Sequence, residues 1–130
     1  MTTRRAQRTI SPVPLALEAS RQGSAAVLTC RGRIVFGTEA DDFRTAVLLL
    51  LRETDHVILN MAAVTHIDSA GIGSLVGVLI STKNRHGRLS LVSLSDKVRH
   101  VLEVSHLETL FPIFETAEDA VAGAPGPARA

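Results

Sequence analysis

The stretch His66–Ile80, HIDSAGIGSLVGVLI, sets an acid and a hydroxyl side by side at the head of an apolar run that carries Gly71, Gly73 and Gly77. Ile72, Leu75, Val76, Leu79 and Ile80 recur at the i, i+3, i+4, i+7, i+8 spacing of a helix that buries one stripe. Asp68 suits the N-cap better than Ser69. With Asp68 as cap, Ile67 and Ile72 take the two positions of a hydrophobic staple, whereas a cap at Ser69 would pair Asp68 with Gly73, which cannot staple. Ser69 then falls at the first helical position, pointing outward beside unbonded backbone N–H groups and the positive end of the helix dipole. At about 100° per residue, Ala70, Gly73, Ser74, Gly77 and Ser81 lie away from the apolar stripe. An interior glycine costs about 1 kcal/mol against alanine, so this small-residue face predicts a surface that approaches closely. Another part of the domain could provide that surface; a docking partner is the reading preferred here.

The pattern around this stretch sets the fold class. PLALEAS and SAAVLTCRGRIV have strand character on either side of the turn-like RQGS, which predicts a hairpin from about Leu15 to Val35. Phe43, Ala46, Val47 and Leu50 then repeat at helical spacing, with Thr38 as the expected N-cap and Asp41 three residues on. HVILNM is continuous in apolar character, as buried parallel strands are. After the central helix, which should end near KNRHG with Gly87 beyond its last turn, RLSLVSL alternates as a strand. SDKVRHVLEVSHL opens with a Ser-Asp cap and reads as a helix, FPIFE as a short strand, and TAEDAVAG follows. The order ββαβαβαβα implies an α/β sandwich with a mixed, mainly parallel sheet of four to five strands, because parallel crossovers need helices packed on the sheet. One domain is expected over residues 13–122, with flexible tails at 1–12, which is Arg-rich, and at 123–130, which is Pro/Gly/Ala-rich.

Composition removes several function classes. A net charge of +1, four Phe, no Trp and no Tyr argue against a nucleic-acid surface, which needs clustered cations and stacking rings. Cys30 is the only cysteine, so the chain can form neither an internal disulfide nor a thiolate metal cluster, and it fits a reducing cytoplasm. Its place in an apolar strand makes it a packing residue. AVLLLLR, Ala46 to Arg52, is too short to span a bilayer, and the N-terminal arginines are followed by no apolar segment of a secretion signal. His56, His66, His86, His100 and His106 lack metal-ligand spacing, so no metal is expected. GIGSLVG resembles a dinucleotide-binding turn, yet the following strand ends in no acid that could hold a ribose, and no P-loop occurs, so no cofactor is expected. Asp68, Ser69 and His66 match a hydrolase triad only in composition, without the G-x-S-x-G elbow.

VILNMAAVTHIDSAGIGSLVGVL resembles the STAS domain of bacterial anti-sigma factor antagonists, whose hallmark is a strand, a turn of the type Asp-Ser-[Ser/Thr/Ala]-Gly-[Leu/Ile]-Gly, and a helix. The match runs on through GRLSLVSLSDKVRHVLEVSHLETLFPIFETAEDAV and covers about Leu15 to Ala122. The resemblance implies a non-enzymatic regulator that binds an anti-sigma factor serine kinase and is switched off when that kinase phosphorylates Ser69. It places Asp68, Ser69, Ala70, Gly71, Gly73, Ser74 and Gly77 on the partner-binding surface, with Thr65, Ser74 and Ser81 as neighbouring hydroxyls. A serine phosphatase and a weak homodimer are further partners in this reading. One departure stands out: many members carry Gly-Glu-Leu-Asp after the second strand, and this chain has GRIV, so Val35 replaces the loop aspartate. The rival readings are a STAS subunit that docks in a transporter ATPase or signalling assembly without phosphorylation, and a small nucleotide-dependent enzyme.

Overall fold

A computed structural model describes residues 15–123; the expected tail at 1–12, and all but Gly123 of the expected tail at 123–130, lie outside them. The elements are β1 (Leu15–Gln22), β2 (Ala25–Ile34), α1 (Thr38–Leu51), β3 (His56–Ile67), α2 (Ser69–Asn84), β4 (Arg88–Val92), α3 (Asp96–Val104), a 3-10 turn (Glu108–Leu110), β5 (Ile113–Phe114) and α4 (Ala117–Gly123). Gly123 therefore closes the last helix instead of opening a tail, and a Cβ there would press on the ring of Phe114. The strands form one sheet in the order β1-β2-β3-β4-β5, antiparallel at β1/β2 and parallel elsewhere. This is the mixed sheet with helical crossovers that the sequence implies.

Alternation along the strands divides the core between the two sheet faces. Leu28, Cys30, Val57, Leu59, Met61, Leu89 and Leu91 point to the face covered by α1, α2 and α3, where Phe43, Val47, Leu75, Val78, Val98 and Leu102 meet them. Val27, Ile58 and Val92 point to the other face, against Ala120 and Val121 of α4. Cys30 is fully buried, and burial pushes its thiol up to about 12, so it packs as an apolar side chain. His56 of β3 and Ser90 of β4, diagonal neighbours across the two strands, satisfy each other through a 2.8 Å hydrogen bond between Nε2 and Oγ. Burial, and then the charge of Arg88, lower the His56 pKa below its ordinary value. Below about pH 6.5 the unfolded chain takes up a proton that the folded His56 resists, so stability is lost as the pH falls. Urea midpoints should drop with acidification over that range, and His56→Gln should flatten the slope.

Two expectations need correction. β3 runs to Ile67, well past the expected HVILNM, because β2 continues beside it: Arg31, Gly32, Arg33 and Ile34 pair with Ala63, Val64, His66 and Ile67. This half has lost β4 as a neighbour, since that pairing stops at Asn60, and its exposed residues, Ala62, Thr65 and His66, are small or polar. Thr38 does not cap α1. Gly37 holds the cap position at φ 108°, a left-handed conformation suited to glycine, and no side chain caps the helix. At the end of α2, as expected, Gly87 lies beyond the last turn, and its N–H closes the helix on the Thr82 carbonyl at 2.9 Å, while His86, at φ 61°, takes the left-handed conformation.

Candidate functional site

The strand-to-helix turn at Ile67–Ser69 is built as its sequence requires. Asp68 is extended, caps α2, and accepts the Gly71 N–H through Oδ1 at 2.9 Å. Its second oxygen accepts the Phe36 N–H at 3.0 Å, which ties the loop between β2 and α1 to the head of α2. These two N–H groups, that of Phe36 first, hold the Asp68 carboxyl below the usual carboxylate range. Asp68→Ala removes both bonds and should cost about 1–2 kcal/mol, measured as a loss of unfolding free energy in urea.

Ser69 is exposed at the first helical position. Behind it, Gly73 and Gly77 are open: a Cβ on either meets nothing within 4 Å. Ala70, Ser74 and Ser81 are half-buried flanks. Gly71, expected on the docking surface, is instead buried, and a Cβ there would sit on the Ile34 carbonyl oxygen and 2.8 Å from Cγ1 of Ile67. Its missing side chain is spent on close packing of α2 against the end of β2. That contact also sets the helix phase, so Gly71, Leu75, Val78, Leu79 and Thr82 face inward. Ile80, read from its spacing as part of the buried stripe, is 54% exposed and lies on the outer face with Gly73 and Gly77.

The loop contributes what the sequence reading missed. Val35 is half-buried and gives its carbonyl to the Ala40 N–H at 3.0 Å, whereas Phe36, next to Asp68, projects its ring into solvent. The signal was a phenylalanine directly before Gly37, outside the alternation of β2 and ahead of the α1 stripe. Thr65 is exposed and donates to the Gly32 carbonyl at 3.2 Å. His66 is an exposed residue near the strand end, with Nδ1 3.1 Å from Oγ1 of Thr65. Nothing in this cluster has the geometry of a nucleophile activated by a base. A separate cleft of about 660 Å3 opens at the opposite ends of the strands, lined by Arg21, Thr54, Asp55, His56 and Arg88. Among the described residues no three His, Cys, Asp or Glu side chains gather as metal ligands, and no helix is long and apolar enough to cross a membrane.

The chain is 28% identical over 94 residues to a STAS-domain containing protein of Pseudomonas aeruginosa (strain UCBPP-PA14), covering 72% of this chain and 92% of that protein. Its fold is similar to that of the anti-sigma factor antagonist SpoIIAA in its unphosphorylated form, at TM-score 0.68 and 22% identity over 85% of this chain and 97% of the other. The phosphorylated form of the same Bacillus protein aligns at TM-score 0.63 and 20% identity, over 84% and 99% of the two chains. A sulfate transporter family protein from Wolinella succinogenes shares the fold equally well, at TM-score 0.68 and 21% identity over 85% and 93%. The STAS domain model matches residues 16–120, nearly the whole described chain, and with the five-stranded sheet and the Asp-Ser turn at the head of α2 it identifies this protein as a member of the STAS domain family.

Proposed function

We propose that this protein is an anti-sigma factor antagonist that binds a kinase-type anti-sigma factor and is released from it by phosphorylation of Ser69. The observation that carries the reading is the placement of Ser69: an exposed hydroxyl at the first position of α2, next to the capping carboxylate and at the head of the uncharged Gly73, Gly77 and Ile80 face. A kinase reaches such a hydroxyl without unfolding anything. The phosphate adds roughly −1.5 to −2 charges beside Asp68, and a helix N-terminus tolerates them. Docking does not tolerate them, because the phosphoserine then stands beside the Asp68 carboxylate at the head of an uncharged docking face. Folding persists while the complex is lost. A serine phosphatase would reset the switch, and the protein itself performs no chemistry. The existence of SpoIIAA in phosphorylated and unphosphorylated forms supports this reading.

Val35 favours one second reading, in which the same surface docks a partner constitutively and the loop aspartate of phosphorylated relatives is dispensable. One experiment separates the two. The chain is incubated with ATP and each kinase-type anti-sigma factor of its own genome, and phosphate is mapped by mass spectrometry. A single phosphate on Ser69 is expected. Phosphate elsewhere, or none from a kinase that binds, rejects Ser69 as the switch.

A further inference from the structure

The cleft at the end of the sheet opposite Ser69 plays no part in the function proposed above, yet it is firmly built. The β1–β2 turn, the α1–β3 loop and the α2–β4 loop meet there. The Thr54 hydroxyl ties the first two, donating to the Ser24 carbonyl at 2.9 Å while it accepts the His56 N–H at 3.2 Å. The third is fastened by the Arg88 N–H, which donates to the Asp55 carbonyl at 2.7 Å. Gly87 permits that approach, since a Cβ there would stand 2.7 Å from the same oxygen. The cavity these ties hold open, about 660 Å3, falls among the sizes that take small molecules, roughly 300–1,000 Å3.

Arg21 at the end of β1, Arg52 just after α1 and Arg88 at the start of β4 converge on it from three elements. All three are exposed and none is ion-paired among the described residues, whose two ion pairs, Arg33 with Glu39 and Arg44 with Asp41, lie at the far end of α1. The Arg88 charge, after burial, lowers the His56 pKa, so a positive field already reaches the wall of the cleft. Glu53 and Asp55 line the same cavity and are likewise unpaired. A bare anion would satisfy the arginines and be repelled by the two acids. A ligand that carries both a phosphate and hydroxyls satisfies the whole set: guanidinium forks take the phosphate oxygens through paired N–H groups, and carboxylates accept from the hydroxyls. Ala25, Leu51 and Val121 add apolar surface for its carbon skeleton.

We infer that this cleft binds a small phosphorylated polyol, a sugar phosphate in its simplest form, with Arg21, Arg52 and Arg88 on the phosphate and with Glu53 and Asp55 accepting from its hydroxyls. The site lies at the other end of the sheet from Ser69, so it stands or falls independently of the phosphorylation switch.

The test is a nuclear magnetic resonance titration of the full chain with a panel of pentose and hexose monophosphates, with inorganic phosphate and the unphosphorylated sugars as contrasting probes. At least one sugar phosphate should give saturable amide shifts centred on Ser24, Thr54, Asp55, His56 and Arg88, at concentrations up to about 10 mM. Inorganic phosphate should bind the same residues about tenfold or more weakly, and the bare sugars should not bind. Arg88→Gln should weaken the sugar phosphate about tenfold or more at an unchanged melting temperature, and Arg21→Gln and Arg52→Gln carry the same test should that variant fold poorly. The double variant Glu53→Gln, Asp55→Asn separates the two roles of charge: it should tighten inorganic phosphate, by removing repulsion, and weaken the sugar phosphate, by removing hydroxyl acceptors. No saturable shift across the panel, or shifts centred at the Ser69 end, overturns the site. Inorganic phosphate as tight as the best sugar phosphate, or a double variant that tightens both, overturns the polyol and leaves a bare-anion cleft; binding that survives loss of each arginine overturns the phosphate role.

Discussion

Gly71→Ala is expected to destabilise the protein by about 1–3 kcal/mol or more, while Gly73→Ala, two residues along the same helix, should stabilise it by up to about 1 kcal/mol. The two glycines have opposite surroundings. A methyl group at Gly71 lands on the Ile34 carbonyl, and backbone cannot rotate away as a flexible side chain can, so α2 must lift from the end of β2. At Gly73 the same methyl enters open space and brings only the helix propensity of alanine. Urea denaturation of both variants measures the contrast, which should appear as midpoint shifts of opposite sign. Gly73→Leu should likewise fold well, but it fills the face that a partner must approach and should abolish binding. If Gly73→Leu binds normally, the open side of α2 is not the docking face.

Ser69→Asp should fold with an unchanged melting temperature and bind its partner on the order of a hundredfold more weakly, whereas Ser69→Ala should bind as the unmodified protein does and no longer respond to ATP. The fold accepts the charge because residue 69 is exposed and stands at the positive end of α2. The interface rejects it because the outward residues of the first three turns, Ala70, Gly73, Gly77 and Ile80, carry no charge that could pair with it. Calorimetric titration of the two variants, with and without ATP, reads both effects. Equal affinity of Ser69→Asp and wild type would remove the basis of the switch.

The local reading around Asp68 succeeded because it rested on geometry that tertiary contacts do not override. A staple between Ile67 and Ile72 admits one cap, and the structure has that cap, bonded to Gly71. Helix phase was less legible. The run from Ile72 to Ile80 is apolar on several sides, so its periodicity fits more than one rotation, and the deciding residue, Gly71, has no side chain to register in a hydrophobic pattern. The outer half of β3 was hidden for a related reason: AAVTHI alternates weakly where only β2 lies alongside. The role of the Phe36 loop depends on a hydrogen bond spanning 32 residues, which no local pattern can announce.

The uneven covering of the sheet has a dynamic consequence. Three helices seal one face with a large cluster, whereas in the described residues the other face is sealed by the seven-residue α4, through Ala120, Val121 and the neighbouring Phe114. Free energy of opening follows buried apolar contact, so the chain has a cheap excursion in which α4 peels away and the strands stay paired. That excursion bares Val27, Ile58 and Val92 without disturbing Asp68, Ser69 or the Phe36 loop. Wear on the C-terminal helix would accordingly endanger solubility well before it altered recognition.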